Sequence, residues 1–163
     1  MEDHVTMVRA PYLRPARPGD AHALLAIETQ AFAADRLSPR SIRRLIASPS
    51  AAVIVAETAG TLLGYALVLF RRGSAVARLY SLAVADTARG HGLGSRLVQA
   101  AQEAARARNA KMLRLEVRAD NGRARALYGG LGFREIGRIP DYYEDGASAI
   151  RLEIALPSPG ERA

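Results

Sequence analysis

Apolar and polar positions along this chain switch between two periods, and each switch marks an element. Alternation or short apolar runs between turn residues mark strands, and apolar positions three to four apart mark helices. Tyr12 to Pro15 reads as the end of a first strand. Pro18-Gly19-Asp20 then opens a helix to about residue 32, with Leu24, Leu25, Ile27 and Phe32 on its apolar side. Ser38-Pro39 is an N-cap followed by proline at the first helical position, starting a short helix with Ile42, Leu45 and Ile46. Residues 52–57 and 61–70 read as strands of a hairpin around Ala59-Gly60, and Arg71-Arg72-Gly73 turns the chain into a third strand, 75–84. A long alanine-rich helix runs to about Arg108, with Leu93, Leu97, Ala100, Ala101 and Ala104 on one face and Asn109 as a left-handed stop. Residues 112–117 form another strand, and 121–131 a helix with Ala124, Leu127, Tyr128 and Leu131 aligned. Residues 133–139 and 149–156 finish as strands. Helices interleaved with mostly consecutive strands predict an α/β fold with a mixed sheet.

Composition narrows the class without naming a function. At 163 residues the chain fits a single domain with an ordered core at about 8–156, the first seven residues and the tail from Pro157 reading as frayed ends. No apolar run approaches the roughly 18–20 residues of a membrane span, so no membrane partner is expected. Met1-Glu2-Asp3-His4 lacks the basic and apolar regions of a signal peptide, which points to the cytoplasm. The absence of cysteine excludes disulfides, thiolate catalysis and cysteine-ligated metals. His4, His22 and His91 lie in unrelated contexts, so no metal site is expected. The net charge of +7 is carried almost entirely by arginine, Lys111 being the only lysine. Those arginines are scattered rather than blocked together, which speaks against a nucleic-acid partner and suits any phosphate-bearing ligand.

The candidate chemistry begins at Arg89-Gly90-His91-Gly92-Leu93-Gly94, between an apolar strand and a helix. The first turn of a helix carries unpaired amides and the positive end of the dipole, and glycines let a phosphate approach the backbone. Such a turn can also be a tight connection with no ligand. Downstream come Leu115-Glu116-Val117-Arg118-Ala119-Asp120-Asn121, then Ala124-x-x-Leu127-Tyr128-x-x-x-Gly132-Phe133, then Tyr142-Tyr143-Glu144-Asp145. Taken alone, Glu116 also fits the solvent side of a strand, Tyr128 a core position, Asn121 an ordinary N-cap, and His91 a solvated loop residue.

Together and in order, these elements resemble the GNAT superfamily of N-acetyltransferases, in its RimI-like branch of bacterial protein N-terminal alanine acetyltransferases. The architecture matches from about Val8 to Leu156 and the motifs from Leu82 to Asp145. The resemblance implies a mostly antiparallel sheet of about seven strands, splayed between the fourth and fifth and flanked by about four helices. It implies acetyl-CoA as cosubstrate and direct attack of a primary amine on the thioester within a ternary complex. Donor-binding residues would be Leu82, Ala83 and Val84, whose backbone meets the pantetheine arm, then Arg89, Gly90, His91, Gly92, Leu93, Gly94 and Ser95 around the pyrophosphate. Asn121 would hold the donor's arm, with Arg125 and Arg96 as further phosphate contacts. Glu116 would be the general base, acting through a water, and Tyr128 the general acid for the leaving thiolate. An unperturbed tyrosine titrates near 10 and a thiol near 8.5, roughly one to two units apart.

On the acceptor side the resemblance implies Tyr142, Tyr143 and Glu144, with Asp141 and Asp145 adding negative charge to attract an ammonium. Pro140-Asp141 precedes the tyrosine pair where the family suggests a polar or basic approach. Phrases like Tyr142-Tyr143-Glu144-Asp145-Gly146 also occur in related domains fused to peptidase-like domains. The acceptor implied is the α-amino group of a protein or peptide. The alternatives are a small amine (a polyamine, amino sugar or antibiotic) and a silent acyl-CoA- or nucleic-acid-binding module. A homodimer is common in this fold, and no segment here specifies one.

Overall fold

The computed structural model describes residues 10–31 and 37–158. Phe32, His4 and most of the expected frayed ends therefore lie outside the described residues. Seven strands form one sheet in the order β1-β2-β3-β4-β5-β7-β6. In chain order these are β1 (Tyr12–Pro15), α1 (Ala21–Ala31), α2 (Pro39–Ala47), β2 (Ala51–Thr58), β3 (Thr61–Phe70) and β4 (Val76–Val84). α3 (Leu93–Ala107), β5 (Met112–Arg118), α4 (Gly122–Gly130), β6 (Arg134–Ile139) and β7 (Ala149–Ala155) follow. All neighbouring strands run antiparallel except β4 and β5, which are parallel because α3 carries the chain back between them. Among the described residues this is the expected α/β architecture, with seven strands and four helices.

The local signals act as their chemistry predicts. The Ser38 hydroxyl accepts from the Ser41 amide at 3.1 Å, and Pro39 occupies the first helical position of α2. Ala59 and Gly60 both take positive φ, 49° and 81°, in the two-residue β2–β3 turn, as a turn matching strand twist requires. Asn109 stops α3 at φ 62°. The buried row of α3 differs from the expected one. Leu93, Leu97, Val98, Ala101 and Ala105 are buried, while Ala100 and Ala104 are only partly covered. In an alanine-rich helix several faces look equally apolar, and packing on β3 and β4 selects one of them.

Two cores lie on opposite faces of the sheet. α3 and α4 close the larger one over residues that include Ala66, Val68, Leu79, Leu113, Leu115, Val117 and Leu152. α1 and α2 close the smaller over Val55, Tyr65, Leu67 and Ala83.

One irregularity opens the molecule. β4 and β5 pair only at Val76–Met112, Ala77–Leu113 and Arg78–Arg114. Beyond Arg78, β4 stays on β3 as far as Gly64–Val84, and β5 stays on β7 as far as Arg118–Ala149. The divergence coincides with a bulge. Val68 pairs Leu79 and Leu67 pairs Ser81, so Tyr80 is an extra residue on β4. An extra residue bends and twists its strand, and β4 turns away from β5 at that point.

Candidate active site

The bent end of β4, Leu82-Ala83-Val84, feeds the glycine turn. A short 3-10 turn, Asp86–Ala88, leads to Arg89, whose guanidinium pairs with Asp86 at 3.2 Å on the surface. Gly90 and Gly92 take φ of 84° and 76°, and a Cβ at either would meet no atom within 4 Å. These glycines answer a backbone need and leave their outer surface open to a ligand. Gly92 is the N-cap of α3 and has no side chain to satisfy the amides of Leu93, Gly94 and Ser95. The α3 start meets α4 where a Cβ on Gly94 would lie 3.6 Å from Leu127 Cδ2. His91 and Arg96 are exposed.

On the far wall of the opening, β5 alternates. Leu113, Leu115 and Val117 are buried in the larger core, and Arg114, Glu116 and Arg118 face the other way. The Glu116 side chain is 9% exposed. Its Oε2 accepts from Arg78 Nε at 3.0 Å, and its Oε1 accepts from Arg151 Nε and Nη2 at 3.3 and 3.2 Å. A carboxylate offers about four lone-pair sites, so Oε2 retains room for a water or an amine. Arg78 also donates through Nη2 to the Tyr142 hydroxyl at 2.8 Å. Burial works against the Arg78 charge, and Glu116 and Tyr142 outweigh it, raising its pKa.

Arg78 stands at the last paired position before the strands part. It therefore ties β4, β5 and the loop before β7 together at the mouth of the opening. Neither Arg78 nor Arg151 carried a signal in the sequence. Both become legible only once Glu116 is known to face Arg151 across β5–β7.

Tyr128 is 8% exposed on α4, edge-on to Phe133 with ring centroids 5.5 Å apart. Burial pushes its hydroxyl up to about 12. Asn121 serves as the α4 N-cap, its Oδ1 accepting from the Ala124 amide at 3.1 Å, which leaves its amide hydrogens for other partners. The Arg125 guanidinium is committed within the domain, to the Ala119 carbonyl at 3.0 Å and to Glu135.

The loop before β7 is held by Tyr142 and Tyr143 amides donating to the Ala147 carbonyl, and the two rings sit edge-on, 5.0 Å apart. Arg118 covers the Tyr143 ring at 5.0 Å and pairs with Asp145 at 2.6 Å, holding that carboxyl below the usual range. Asp145 is thus already neutralised, while Asp141 and Glu144 remain exposed.

The structure brings Glu116 and Tyr142 into one network through Arg78. It sets the glycine turn at the end of β4, the opposite wall of the same opening.

Comparison with known proteins agrees with this arrangement. Residues 21–133 match the acetyltransferase (GNAT) family. An N-alpha-acetyltransferase RimI of Mycobacterium tuberculosis is 34% identical over 137 residues, spanning 82% of this chain and 85% of that protein. The crystal structure of Ard1 from Thermoplasma volcanium superposes with a TM-score of 0.83 at 26% identity, covering 91% of this chain and 99% of that one. That of the ribosomal-protein-S18-alanine N-acetyltransferase from Escherichia coli gives 0.80 at 26% identity, covering 94% and 98%. The overall fold is thus shared with known N-acetyltransferases, and with a family match over residues 21–133 and a RimI relative 34% identical, this chain belongs to the GNAT family in its RimI-like branch.

Proposed function

We propose that this N-acetyltransferase takes its acetyl group from acetyl-CoA and delivers it to the N-terminal α-amino group of a protein or peptide, by direct attack in a ternary complex. The observation that carries this reading is the parted sheet. The free edge of β4 beyond Arg78 runs into an uncapped helix start, with Glu116 across the gap. The two positive-φ glycines with open space around them fit a pyrophosphate, which needs close approach to backbone amides. The RimI-like relatives support a polypeptide acceptor over a small amine.

Acetyl-CoA supplies the thioester carbonyl and the thiolate leaving group. The backbone groups of Leu82 and Val84, with Ala83 between them, hold and polarise that end of the donor. The loop from Arg89 to Ser95 grips the pyrophosphate, the Arg89 charge exchanging its Asp86 contact for phosphate. Arg125, held by Ala119 and Glu135, acts by bracing β5 to β6, and Asn121 offers its amide hydrogens to the donor's arm. Glu116 takes the proton of the acceptor ammonium through a water on Oε2. Tyr128, with its hydroxyl near 12, stands roughly three to four units above an ordinary thiol. It therefore stabilises the departing sulfur by donating a hydrogen bond and keeps its own proton, because the thiolate is the weaker base. Tyr142, Tyr143 and Glu144 line the acceptor's approach.

Calorimetric titration with acetyl-CoA tests the donor. Mass spectrometry then follows acetylation of peptides with free and blocked N-termini beside polyamines and amino sugars. Acetylation of free N-termini is expected; turnover of small amines with none of any peptide would overturn the acceptor.

A further inference from the structure

The part of the sheet formed by β5, β7 and β6 carries, on the side away from α3 and α4, a charge pattern that catalysis does not require. Two carboxylates lie nearly buried there, each straddled by two guanidiniums. Glu116 sits between Arg78 and Arg151. Glu153, buried to 5% exposure, sits between Arg114, which hydrogen-bonds it, and Arg134 at 3.6 Å. The carboxylate side chains are 9% and 6% exposed, whereas Arg78, Arg114 and Arg151 are each 41% exposed and Arg134 is 76% exposed. Four cations against two anions leave two positive charges, with the negative ends below and the guanidiniums outward. α1 and α2 pack on β2, β3 and β4, so among the described residues neither helix shields this region.

The face is continuous with the proposed acceptor entrance. The donor loop and α3 occupy one side of the opening, and Glu116 looks out on the other. A polypeptide whose amino group reaches Glu116 from that side must lead the rest of its chain away over or beside the arginines. Guanidinium forks match carboxylates in geometry as well as charge, and an extended peptide presents side chains at spacings comparable to those across a sheet.

We propose that this face docks an acidic stretch of the acceptor polypeptide, a few residues downstream of the amino group that is acetylated. The inference rests on the reading of the acceptor as a protein N-terminus.

Three peptides that begin with Ala-Ser and continue with Glu, Gln or Lys residues, labelled at the C-terminus, provide the test. Binding is read by fluorescence anisotropy and acetylation separately by mass spectrometry. At low salt the Glu peptide is expected to bind about tenfold more tightly than the Gln peptide, the size of a few partly exposed ion pairs. The preference should collapse near 1 M salt, where the screening length is about 3 Å. Arg134→Gln should reduce the Glu-to-Gln binding ratio severalfold and Arg134→Lys should largely keep it; because Arg114 still holds Glu153, neither change should unfold the chain.

Equal binding of the three peptides, or a Glu preference untouched by Arg134→Gln, overturns the proposal, as does tight binding of poly(U) RNA with no discrimination among peptides. A Glu peptide that binds selectively yet is never acetylated supports the docking face and removes the assigned acceptor. Acetylation of all three peptides with equal affinity does the reverse.

Discussion

Gly64 is the position where a single methyl group should tell most about how the donor wall is built. It lies in β3 opposite Val84, beneath the start of α3. A Cβ there would fall 2.9 Å from Leu97 Cδ1 and 3.0 Å from the Ala83 carbonyl oxygen. Neither neighbour yields easily: Leu97 is fully buried, and the Ala83 oxygen belongs to the backbone of the β3–β4 ladder. Overpacking of this kind costs about 1–3 kcal/mol, and the lower chain entropy of unfolded alanine offsets roughly 0.4–1 kcal/mol. A net loss of about 1–2 kcal/mol lowers Tm by about 2–8 °C in a chain of this size. The displaced carbonyl also shifts the Leu82–Val84 edge, so acetyl-CoA affinity should weaken in Gly64→Ala. Gly129→Ala is the control, because a Cβ at that helical position meets nothing within 4 Å. Scanning calorimetry and acetyl-CoA titration of both variants read the result. A Gly64→Ala protein with unchanged Tm and unchanged affinity would refute the reasoning.

Glu116→Gln is expected to lower kcat by about 10² or more with acetyl-CoA affinity retained; the Gln amide nitrogen must face one of the two guanidiniums that now bond the carboxylate, so stability should fall by about 1–3 kcal/mol. Wild-type kcat in this variant would remove Glu116 from the chemistry. Tyr128→Phe should slow turnover and also alter alkaline unfolding. With its hydroxyl near 12 against an ordinary value near 10, folded Tyr128 keeps a proton that the unfolded chain releases, so stability falls as pH rises through that window. The Phe variant should lose less there, with a residual slope from Tyr65, which burial also raises; parallel stability curves for the two proteins would contradict this. Gly92→Ala forces φ 76° on an alanine, costing about 1–2 kcal/mol and weakening acetyl-CoA binding, and an unchanged melting curve and titration would rule out that N-cap geometry.

Features encoded within a few residues were legible in the sequence. The Ser38 cap, the Ala59-Gly60 turn and the Asn109 stop each depend on one residue's hydrogen bonding or φ preference, and each appears where expected. The glycine turn and the spacing from Glu116 through Asn121 to Tyr128 were readable for the same reason: they are short, ordered strings. The α3 face was misread because alanine spacing does not rank one face above another; contact with β3 and β4 does.

The chain's local chemistry determined its elements, their order, and the residue types available for an acetyl transfer. Tertiary structure alone decided which of them meet. The extra residue Tyr80 parts β4 from β5, and register across β4, β5 and β7 sets Arg78 and Arg151 on Glu116 and four arginines around two carboxylates on one face. These contacts join residues 35 and 38 positions apart in the chain. No local preference specifies such pairs, because strand register is fixed by packing of the whole sheet.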